Sequence, residues 1–323
     1  MIRAVVLGTG MYMPERIMMN DEIAKLVDTN DEWIQERTGI KQRHIAAEGE
    51  FTSDLGVKAG KQALANAGVT PESIDLVVLG TTSADETMPS TATKIQHQLG
   101  ITRGAAFDVN AACSGFVYAM ATANSFILSG MAKRVLVIGA ETFSRILNWS
   151  DRGTCILFGD GAAALVLEAQ EQPGTVNDRG VLYSGIHSDG QHTQLLATDG
   201  GVSSTMTSGK LFMLGKEIYR HAVAKMPAAV EEGMAALGLP LSAIDWLVPH
   251  QANMRILNGV GQKLHIDASK VVATVSDHAN TSAASIPLAL HIASHDGRIK
   301  PGQLIACPAL GAGLTWGCTI IRW

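Results

Sequence analysis

Short apolar runs with the character of buried strands alternate with longer helical stretches along the whole 323-residue chain. Apolar strands separated by amphipathic helices indicate a sheet that is covered on both faces. The alternation therefore predicts an α/β fold, and the polar, glycine-rich residues 187–212 are predicted to form an inserted, functional loop. The predicted strands are 5–7, 74–79, 105–109, 134–138, 162–167, 181–186, 246–249, 271–274, 304–309 and 314–322, and the predicted helices are 53–67, 91–99, 114–130, 214–236, 253–264 and 282–295.

Two pairs of segments suggest that the chain repeats itself. Residues 74–81 resemble residues 244–250, and FGDGA at 158–162 resembles LGAGL at 310–314. Glycine-rich turns before strands are common, so this similarity is weak evidence by itself. Two similar halves that meet face to face would explain both matches. The predicted halves are residues 1–172 and 173–323.

The composition excludes several classes of protein. With 46% hydrophobic and 17% charged residues, the chain is too apolar to be disordered. A net charge of −5 excludes a globally basic nucleic-acid-binding protein but allows local basic patches. No apolar stretch reaches the roughly 18 residues that a membrane span needs, and residues 1–8 lack the apolar segment and cleavage site of a signal peptide.

The four cysteines show no metal-binding or redox spacing such as C-x-x-C. We therefore expect no metal site and a reducing, cytoplasmic environment. The cysteines are Cys113, Cys155, Cys307 and Cys318.

Cys113 lies where the apolar run 105–109 gives way to a predicted helix. The first turn of a helix has unpaired N–H groups and the positive end of the macrodipole, and both favour a thiolate. We therefore expect the pKa of Cys113 to lie below the value of about 8.5 of a free thiol. Small residues at 111–112 and 114–115 would let a substrate approach the sulfur. The alternative is a buried structural cysteine.

Two further polar residues stand at the ends of predicted strands. His250 follows the apolar run 246–249, and Asn280 follows residues 275–279 and opens a small-residue entry into a helix. Ligands of open α/β sheets collect at the carboxyl ends of strands, so the thiol, imidazole and carboxamide are predicted to converge on one pocket. The alternatives are a histidine that caps the next helix and an asparagine that serves only as an N-cap.

Several motifs, in matching order and spacing from Met1 to Trp323, resemble the β-ketoacyl-acyl carrier protein synthase III family. Members of this family are the initiating condensing enzymes of type II fatty acid synthesis. The motifs are DEWI (31–34), RTGI (37–40), ACSGF (112–116), FGDGA (158–162), HQANMRI (250–256) and NTSAAS (280–285).

The resemblance implies a thiolase fold, in which two similar α/β halves form a five-layered α-β-α-β-α body, normally a homodimer. It assigns the family's catalytic set to Cys113, His250 and Asn280. The thiolate of Cys113 would take an acyl group from an acyl-CoA, acetyl-CoA by default. Malonyl-acyl carrier protein would then lose carbon dioxide, and its enolate would attack the acyl-cysteine to give a 3-oxoacyl product.

Elementary chemistry explains the choice of residues. A thiolate suits exchange with a thioester. Donors from His250 Nε2 and the Asn280 amide would stabilise the enolate, an effect worth several kcal/mol in comparable oxyanion holes. For the acyl-transfer step, we place the oxyanion on the backbone N–H groups of Cys113 and of Ala312, in a tight glycine turn. No separate cofactor is implied, since the acyl-CoA is a substrate.

The resemblance also assigns binding residues. Trp33 would stack on the CoA adenine, and Arg37 and Arg152 would bind its phosphates. Asn253 and the backbone near Gly215 would contact the pantetheine arm. Without the resemblance, Trp33 would be interpreted as a half-buried helix anchor, and Arg37 and Arg152 as solvated charges.

An acidic acyl carrier protein would be steered by a basic patch at the tunnel mouth. Lys216, Arg220 and Arg255 match that region, and the first two share a face of a predicted helix. The alternative is an ordinary solvated helix face.

Two positions depart from the family pattern. Leu310 stands where most members have phenylalanine. Met88 matches a residue that reaches across the dimer to close the acyl pocket, a position where the family often has phenylalanine. Methionine is flexible and adaptable. We therefore expect a pocket that accepts acetyl groups and tolerates longer or branched acyl groups.

The same residues distinguish this function from several alternatives. A related ketosynthase or acyltransferase of secondary metabolism is the main alternative. Hydroxymethylglutaryl-CoA synthase would need a carboxylate base near the thiol, and a plain thiolase would need a second reactive cysteine. A binding protein that has lost the chemistry is disfavoured because all three reactive residues are present.

Overall fold

The computed structural model describes residues 1–323. The N-terminal half begins with a long strand and ends with another that pairs with it. Its elements are β1 (Ile2–Tyr12), β2 (Arg16–Met19), α1 (Asn20–Ile23), α2 (Asp31–Thr38), β3 (Gln42–Ile45), α3 (Thr52–Ala67), β4 (Leu76–Gly80), α4 (Thr91–Gln98), β5 (Ala105–Val109), α5 (Gly115–Leu128), β6 (Arg134–Glu141), α6 (Arg152–Cys155) and β7 (Gly161–Glu171).

The C-terminal half follows the same sequence of long elements. Its elements are β8 (Gly180–Ser188), β9 (Leu196–Thr198), β10 (Leu211–Met213), α7 (Gly215–Ala236), β11 (Trp246–Leu247), α8 (Met254–Lys263), α9 (Val275–His278), α10 (Ser285–His295), β12 (Leu304–Gly311) and β13 (Thr315–Arg322). Short 3-10 turns lie at Pro71–Ser73, Ala112–Ser114, Phe143–Arg145, Gly190–Leu195, Leu241–Ala243, Ala268–Lys270 and Ser282–Ala284.

The two main sheets have the same topology. The first has the strand order β1-β7-β6-β4-β5, with β4 parallel to both β5 and β6 and with β1 and β7 antiparallel. The second has the order β8-β13-β12-β11, and a single parallel bridge from Leu247 to Val271 stands in the place of a fifth strand. The predicted α/β fold with two similar halves is confirmed.

Five layers result from the packing of the helices. Helix α5 contacts β4 and β6 of the first sheet and β8 and β13 of the second, and α10 also packs in this central layer. The apolar surface of α5 continues around the helix, as expected for a buried helix. Helices α3 and α4 cover the outer face of the first sheet, while α7 covers the second and α8 packs against α7.

The fold differs from the predicted elements at several points. Residues 271–274 form only an isolated bridge, from Val271 to Leu247, instead of the predicted strand. The side chain of Gln251 bonds to the next backbone groups: its NH₂ group donates to the Val272 carbonyl (3.1 Å), and its oxygen accepts from the Thr274 N–H (2.8 Å). The predicted loop 187–212 contains the β9–β10 hairpin. The two-stranded antiparallel sheet β2–β3 and the helices α1 and α2 between its strands were not predicted as elements.

The predicted division at residue 172 falls between β7 and β8 and stays a prediction. None of the helices combines the length and the apolar character that crossing a membrane requires.

Candidate functional site

One cavity of about 650 Å³ is lined by all three predicted reactive residues, Cys113, His250 and Asn280. These side chains are buried, with 5%, 3% and 4% of their surface exposed. Exposed cationic residues line the same cavity. The predicted site residues on its wall are Trp33, Arg37, Cys113, Gly215, Lys216, Arg220, His250, Asn253, Arg255, Asn280 and Leu310.

Cys113 lies in the 3-10 turn that follows β5 and precedes α5. The turn begins with Ala112 at a φ of 48°, in the left-handed region. The β12–β13 turn packs directly on it, since a Cβ at Gly311 would lie 2.8 Å from the Cys113 nitrogen. Only glycine permits this approach, which brings the predicted oxyanion position at Ala312 beside the nucleophile turn. The hydroxyl of Thr315 fixes the arrangement, at 2.9 Å from the Ala111 carbonyl and 3.0 Å from that of Ala312.

Burial, with a smaller contribution from the nearby Glu141 carboxylate, raises the pKa of the Cys113 thiol to about 12. The expectation of a depressed pKa was therefore wrong for the free protein. The predicted effect of the helix N-terminus neglected desolvation: an ion enclosed by apolar groups loses more solvation than a partial dipole charge returns. The thiol must lose its proton as it reacts.

His250 follows β11, and its backbone N–H donates to the Pro308 carbonyl of β12 at 2.9 Å. Its Nδ1 lies 2.7 Å from Ser285 Oγ, which also accepts from the Gln251 N–H at 3.3 Å. The 2.7 Å contact fits either tautomer, and we assign the one in which the Ser285 hydroxyl donates to His250 Nδ1. In a neutral imidazole, this leaves the proton on Nε2. Burial lowers the pKa of His250 to about 3, so the ring is neutral and presents an N–H donor.

Asn280 is held by backbone bonds on both sides: its N–H donates to the Leu157 carbonyl (2.9 Å), and its carbonyl accepts from Gly159 (3.1 Å). Its side-chain oxygen accepts from the Ser282 N–H at 2.8 Å. The bond to the N–H two residues later is that of an Asx turn, and Asn280 is not the helix N-cap of the alternative interpretation, since Thr281 stands at that position. The same bond fixes the oxygen and leaves the NH₂ group as a donor for the cavity.

Trp33 projects from α2, which is capped by the Asn30 side chain (2.8 Å to the Trp33 N–H). The guanidinium carbons of Arg37 and Arg152 lie 4.9 and 4.8 Å from the indole ring centre. Gly39 ends the helix at a φ of 75°, and a Cβ there would lie 2.6 Å from that of Met254. This close contact places α2 against α8 at the edge of the cavity.

The other predicted binding residues lie on α7 and α8. Asn253 caps α8 by accepting from the Ile256 N–H (3.0 Å), and its amide hydrogens stay available to a ligand. Gly215 opens α7 and is exposed. Lys216, Arg220 and Arg255 are exposed. Arg220 is partly neutralised, because its Nη1 lies 3.0 Å from a carboxylate oxygen of Glu217.

The two residues predicted for the acyl pocket lie in different places. Leu310 lines the cavity and is 4% exposed. Met88 does not line this chain's cavity and is 84% exposed. It stands on a loop whose ends are fixed by Asp85, which accepts from Ser53, and by Asp108, which accepts from the Thr91 N–H. Closure of an acyl pocket by Met88 stays a prediction about a partner subunit.

Sequence reasoning missed three buried residues around the site. Ser285 Oγ lies 2.7 Å from His250 Nδ1, the Glu141 carboxylate is close enough to Cys113 to raise its pKa, and the Ser282 hydroxyl is buried without a hydrogen-bond partner. A signal existed for each of them: Ser282 and Ser285 lie in the NTSAAS motif, and Glu141 is an acidic residue directly after an apolar strand pattern. No group of three or more His, Cys, Asp or Glu side chains is placed to hold a metal ion.

Comparison with known families gives two matches. Residues 107–190 match the family "3-Oxoacyl-[acyl-carrier-protein (ACP)] synthase III", and residues 234–323 match its C-terminal counterpart. The first match contains Cys113, and the second contains His250 and Asn280.

Individual proteins are similar over the whole chain. The β-ketoacyl-[acyl-carrier-protein] synthase III of Rhodospirillum centenum is 58% identical over 322 residues, covering 100% of this chain and 99% of its own. That of Bradyrhizobium diazoefficiens is also 58% identical, over 323 residues and the same shares. Among solved structures, the 3-oxoacyl-[acyl-carrier-protein] synthase III of Aquifex aeolicus has a TM-score of 0.93 and 42% identity, covering 99% of this chain and 100% of that one.

A priming β-ketosynthase from the R1128 polyketide biosynthetic pathway is also similar, with a TM-score of 0.91 and 34% identity, covering 99% of this chain and 96% of that one. The same scaffold therefore occurs in a protein of a polyketide pathway.

Proposed function

Because the chain belongs to the 3-oxoacyl-[acyl-carrier-protein] synthase III family, we propose that it condenses a short acyl-CoA with malonyl-acyl carrier protein. The products are a 3-oxoacyl-acyl carrier protein, CoA and carbon dioxide. This reaction initiates fatty acid synthesis and makes the protein an acyltransferase.

One observation carries the proposal. A single cavity has exposed cations on its wall together with a buried thiol, imidazole and carboxamide. Exposed cations suit the phosphates of CoA and the acidic surface of a carrier protein. The buried polar groups suit a reaction that passes through anionic intermediates in a site with little water.

In the first half-reaction, Cys113 Sγ attacks the thioester carbon of the acyl-CoA, and CoA leaves. The developing oxyanion accepts hydrogen bonds from the backbone N–H groups of Cys113 and Ala312. The adenine stacks on Trp33, with Arg37 and Arg152 beside it to bind phosphate, and the Asn253 amide and the backbone near Gly215 hold the pantetheine arm.

In the second half-reaction, the malonyl group loses carbon dioxide and leaves an enolate. The His250 Nε2–H and the Asn280 NH₂ group donate to its oxygen. Both are donors in the free protein, because the Ser285 hydroxyl and the Ser282 N–H occupy the opposite atoms of these side chains. The enolate carbon then attacks the acyl carbon on Cys113.

The functional unit is a homodimer. Strand β5 is the outer strand of its sheet, with Ala105 exposed and Phe107 partly exposed, and the exposed Met88 stands on a fixed loop. An unpaired edge with apolar residues favours pairing with a second chain. A monomer in sedimentation equilibrium would contradict this arrangement.

A role in secondary metabolism is not favoured, because relatives at 58% identity carry the name synthase III, whereas the polyketide enzyme is 34% identical. We also propose that the enzyme acts in the cytoplasm, in keeping with its four free cysteines.

The test follows both half-reactions in one experiment. Purified protein is incubated with labelled acetyl-, butyryl-, isobutyryl- or hexanoyl-CoA, with and without malonyl-acyl carrier protein. We expect an acyl mass on the peptide that contains Cys113 and, with the carrier protein, a 3-oxoacyl product. Butyryl and isobutyryl groups should also transfer if Leu310 leaves room; strict use of acetyl-CoA would reject that tolerance.

The matched variants are Cys113→Ser and Cys318→Ala. Cys318 is fully buried and does not line the cavity. The first substitution should abolish acylation and the second should preserve it. Unchanged condensation by Cys113→Ser would overturn the proposed function.

A further inference from the structure

Arg43 is a completely buried cation for which the two half-reactions above have no role. It lies in the short strand β3, and its hydrogen bonds go to uncharged oxygens. Nη1 donates to the Asn20 side-chain oxygen (2.8 Å) and to the Met18 carbonyl (3.3 Å), and Nη2 donates to the Ile156 carbonyl (2.9 Å). A buried charge without an opposite charge bonded to it is costly, so its presence calls for an explanation.

One side of the Arg43 guanidinium holds helix α6. Ile156 is the residue at which α6 ends, and the last carbonyls of a helix have no partner within the helix. A basic side chain that bonds such a carbonyl stabilises the end of the helix. Arg43 therefore fixes the end of the short helix that carries Arg152, and Ile156 itself lines the cavity.

The other side of the guanidinium holds helix α2 through the buried side chain of Asn20. The Asn20 amide donates to Asp31 Oδ1 and to the Ile40 carbonyl, both at 2.8 Å. Asp31 begins α2, and Ile40 follows the glycine at which α2 ends. Because the oxygen of the same amide accepts from Arg43, every polar group of the Asn20 side chain is bonded. Both ends of α2 are thus tied to one buried carboxamide.

These bonds connect the two helices that carry the predicted adenine site. Helix α2 carries Trp33 and Arg37, and α6 carries Arg152. Both arginines are exposed, and both guanidinium groups lie beside the Trp33 ring. Holding long, exposed side chains in one arrangement costs conformational entropy, and such contacts return little by themselves. A rigid, buried support behind the two helices reduces that cost.

We propose that Arg43 and Asn20 are positioning residues for the adenine end of acyl-CoA, an inference that rests on the proposed function. Neither residue lines the cavity, so both act through the helices that they hold. They keep α2 and α6 in the positions from which Trp33 stacks on adenine and Arg37 and Arg152 bind phosphate. The site is then formed before the substrate arrives, and less free energy is lost in ordering it.

The alternative is a purely structural role, in which the same bonds only stabilise the fold. Acetyl-pantetheine distinguishes the two roles, because it has the thioester and the pantetheine arm of acetyl-CoA but lacks the adenine and the phosphates. Loss of a positioning residue should slow the reaction with acetyl-CoA alone. A damaged fold should slow the reactions of both donors.

The test measures second-order rate constants for acetylation of Cys113 by acetyl-CoA and by acetyl-pantetheine, followed by quenched-flow mass spectrometry. Asn20→Ala breaks the connection between Arg43 and α2. Trp33→Ala is the reference for loss of the adenine contact. The double variant Asn20→Ala/Trp33→Ala shows whether Asn20 acts through the tryptophan.

Asp31→Ala and Glu32→Ala form a matched pair within α2. Both carboxylates lie in the first turn of the helix, so both substitutions remove the same charge from its N-terminus. Only Asp31 is bonded to Asn20, whereas Glu32 is exposed. A difference between the two variants therefore reports the bond to Asn20.

We expect Asn20→Ala to lower the rate constant for acetyl-CoA about tenfold and to leave that for acetyl-pantetheine within about twofold of the wild type. Asp31→Ala should lower the rate constant for acetyl-CoA about threefold, and Glu32→Ala should leave both constants unchanged. The double variant should react only slightly more slowly than Trp33→Ala, because a support has little effect once the residue that it positions is gone.

The proposal fails if Asn20→Ala slows both donors equally, or if its loss and that of Trp33→Ala multiply in the double variant. An Asp31→Ala enzyme that matches Glu32→Ala would also contradict it. If Asn20→Ala does not fold, as judged by circular dichroism, the comparison of Asp31→Ala with Glu32→Ala decides. If the wild type forms no acyl-Cys113 with either donor, the proposed function fails instead, and calorimetric titration of the same variants with CoA still tests the positioning role.

Discussion

In the N-terminal half, Asn110 follows β5 and precedes the turn Ala112–Ser114 and helix α5; in the C-terminal half, Asn280 precedes the turn Ser282–Ala284 and helix α10. Each asparagine oxygen accepts from the N–H two residues later, at 3.4 Å in the first half and 2.8 Å in the second. In both halves the residue that donates this bond has a left-handed φ, 48° and 50°.

The same backbone unit therefore carries different chemistry. The residue after the left-handed position is Cys113 in one half and Ala283 in the other. Asn280 lines the cavity, whereas Asn110 does not and is exposed. In the proposed mechanism, the first half provides the nucleophile, and the second provides donors for developing negative charge. The backbone unit positions a side chain at the meeting of the two sheets, and the residue at each position decides its role.

Asn280→Ala should separate the two roles most strongly. Losing a preorganised donor to the enolate should reduce the condensation rate of preformed acetyl-enzyme by about 100- to 1,000-fold. The rate of acetylation of Cys113 should change only a few-fold, because the nucleophile for this step belongs to the N-terminal half. Single-turnover measurements of each step would show this split. The matched Asn110→Ala should change neither step by more than a few-fold, and equal losses in both steps of Asn280→Ala would contradict a division of labour.

Ser285→Ala should have an intermediate effect. Ser285 opens α10 where the first half has Gly115 at the start of α5. Without the Ser285 hydroxyl, His250 is no longer held with its proton on Nε2, so we expect condensation to slow about tenfold while acetylation is unchanged. Ser285→Thr, which keeps a hydroxyl, should recover part of the rate. A Ser285→Ala enzyme with normal condensation would show that the cavity alone sets the tautomer.

The wild-type pH profile provides a further check on His250. Because burial lowers its pKa to about 3, the ring stays neutral from about pH 5 to 8, and the condensation step should show no titration of His250 in that range. The stability of the fold depends on pH through His250 with the opposite sign to that of a histidine in a salt bridge. The unfolded chain binds a proton below about pH 6.5 that the folded ring does not, so acid should destabilise the fold through His250.

The double variant Lys216→Ala/Arg255→Ala should have the smallest effect and should act only on binding. These exposed cations belong to the C-terminal half, and we expect the KM for malonyl-acyl carrier protein to rise about three- to tenfold with kcat unchanged. The difference from the wild type should shrink at high salt. Arg220→Ala should matter less, because Glu217 already pairs with Arg220. Lys61→Ala, on the outer helix of the N-terminal half, is the control, and an equal rise there would indicate a non-specific charge effect.

The sequence by itself was sufficient for the architecture and for three candidate residues that the structure brings to one cavity. Apolar periodicity is local information, so it predicted the alternation of strands and helices and hence the α/β fold, while the two similar halves were predicted from the repeated segments and the family resemblance. Motif spacing indicated Cys113, His250 and Asn280, which line one cavity. Short elements such as β2 and β3 were not predicted, because four-residue strands carry too little periodic signal.

Only the tertiary structure decided the electrostatic state of the site. The pKa of Cys113 depends on how completely other segments enclose the thiol, and local sequence describes the helix dipole but not desolvation. Ser285 reaches His250 across 35 positions of the chain. The turn Ser282–Ala284 packs on the turn of Cys113 and on β6, although these segments are far apart along the chain. Proton positions follow from such contacts, since burial and hydrogen bonding act over a few ångströms in space irrespective of separation along the chain.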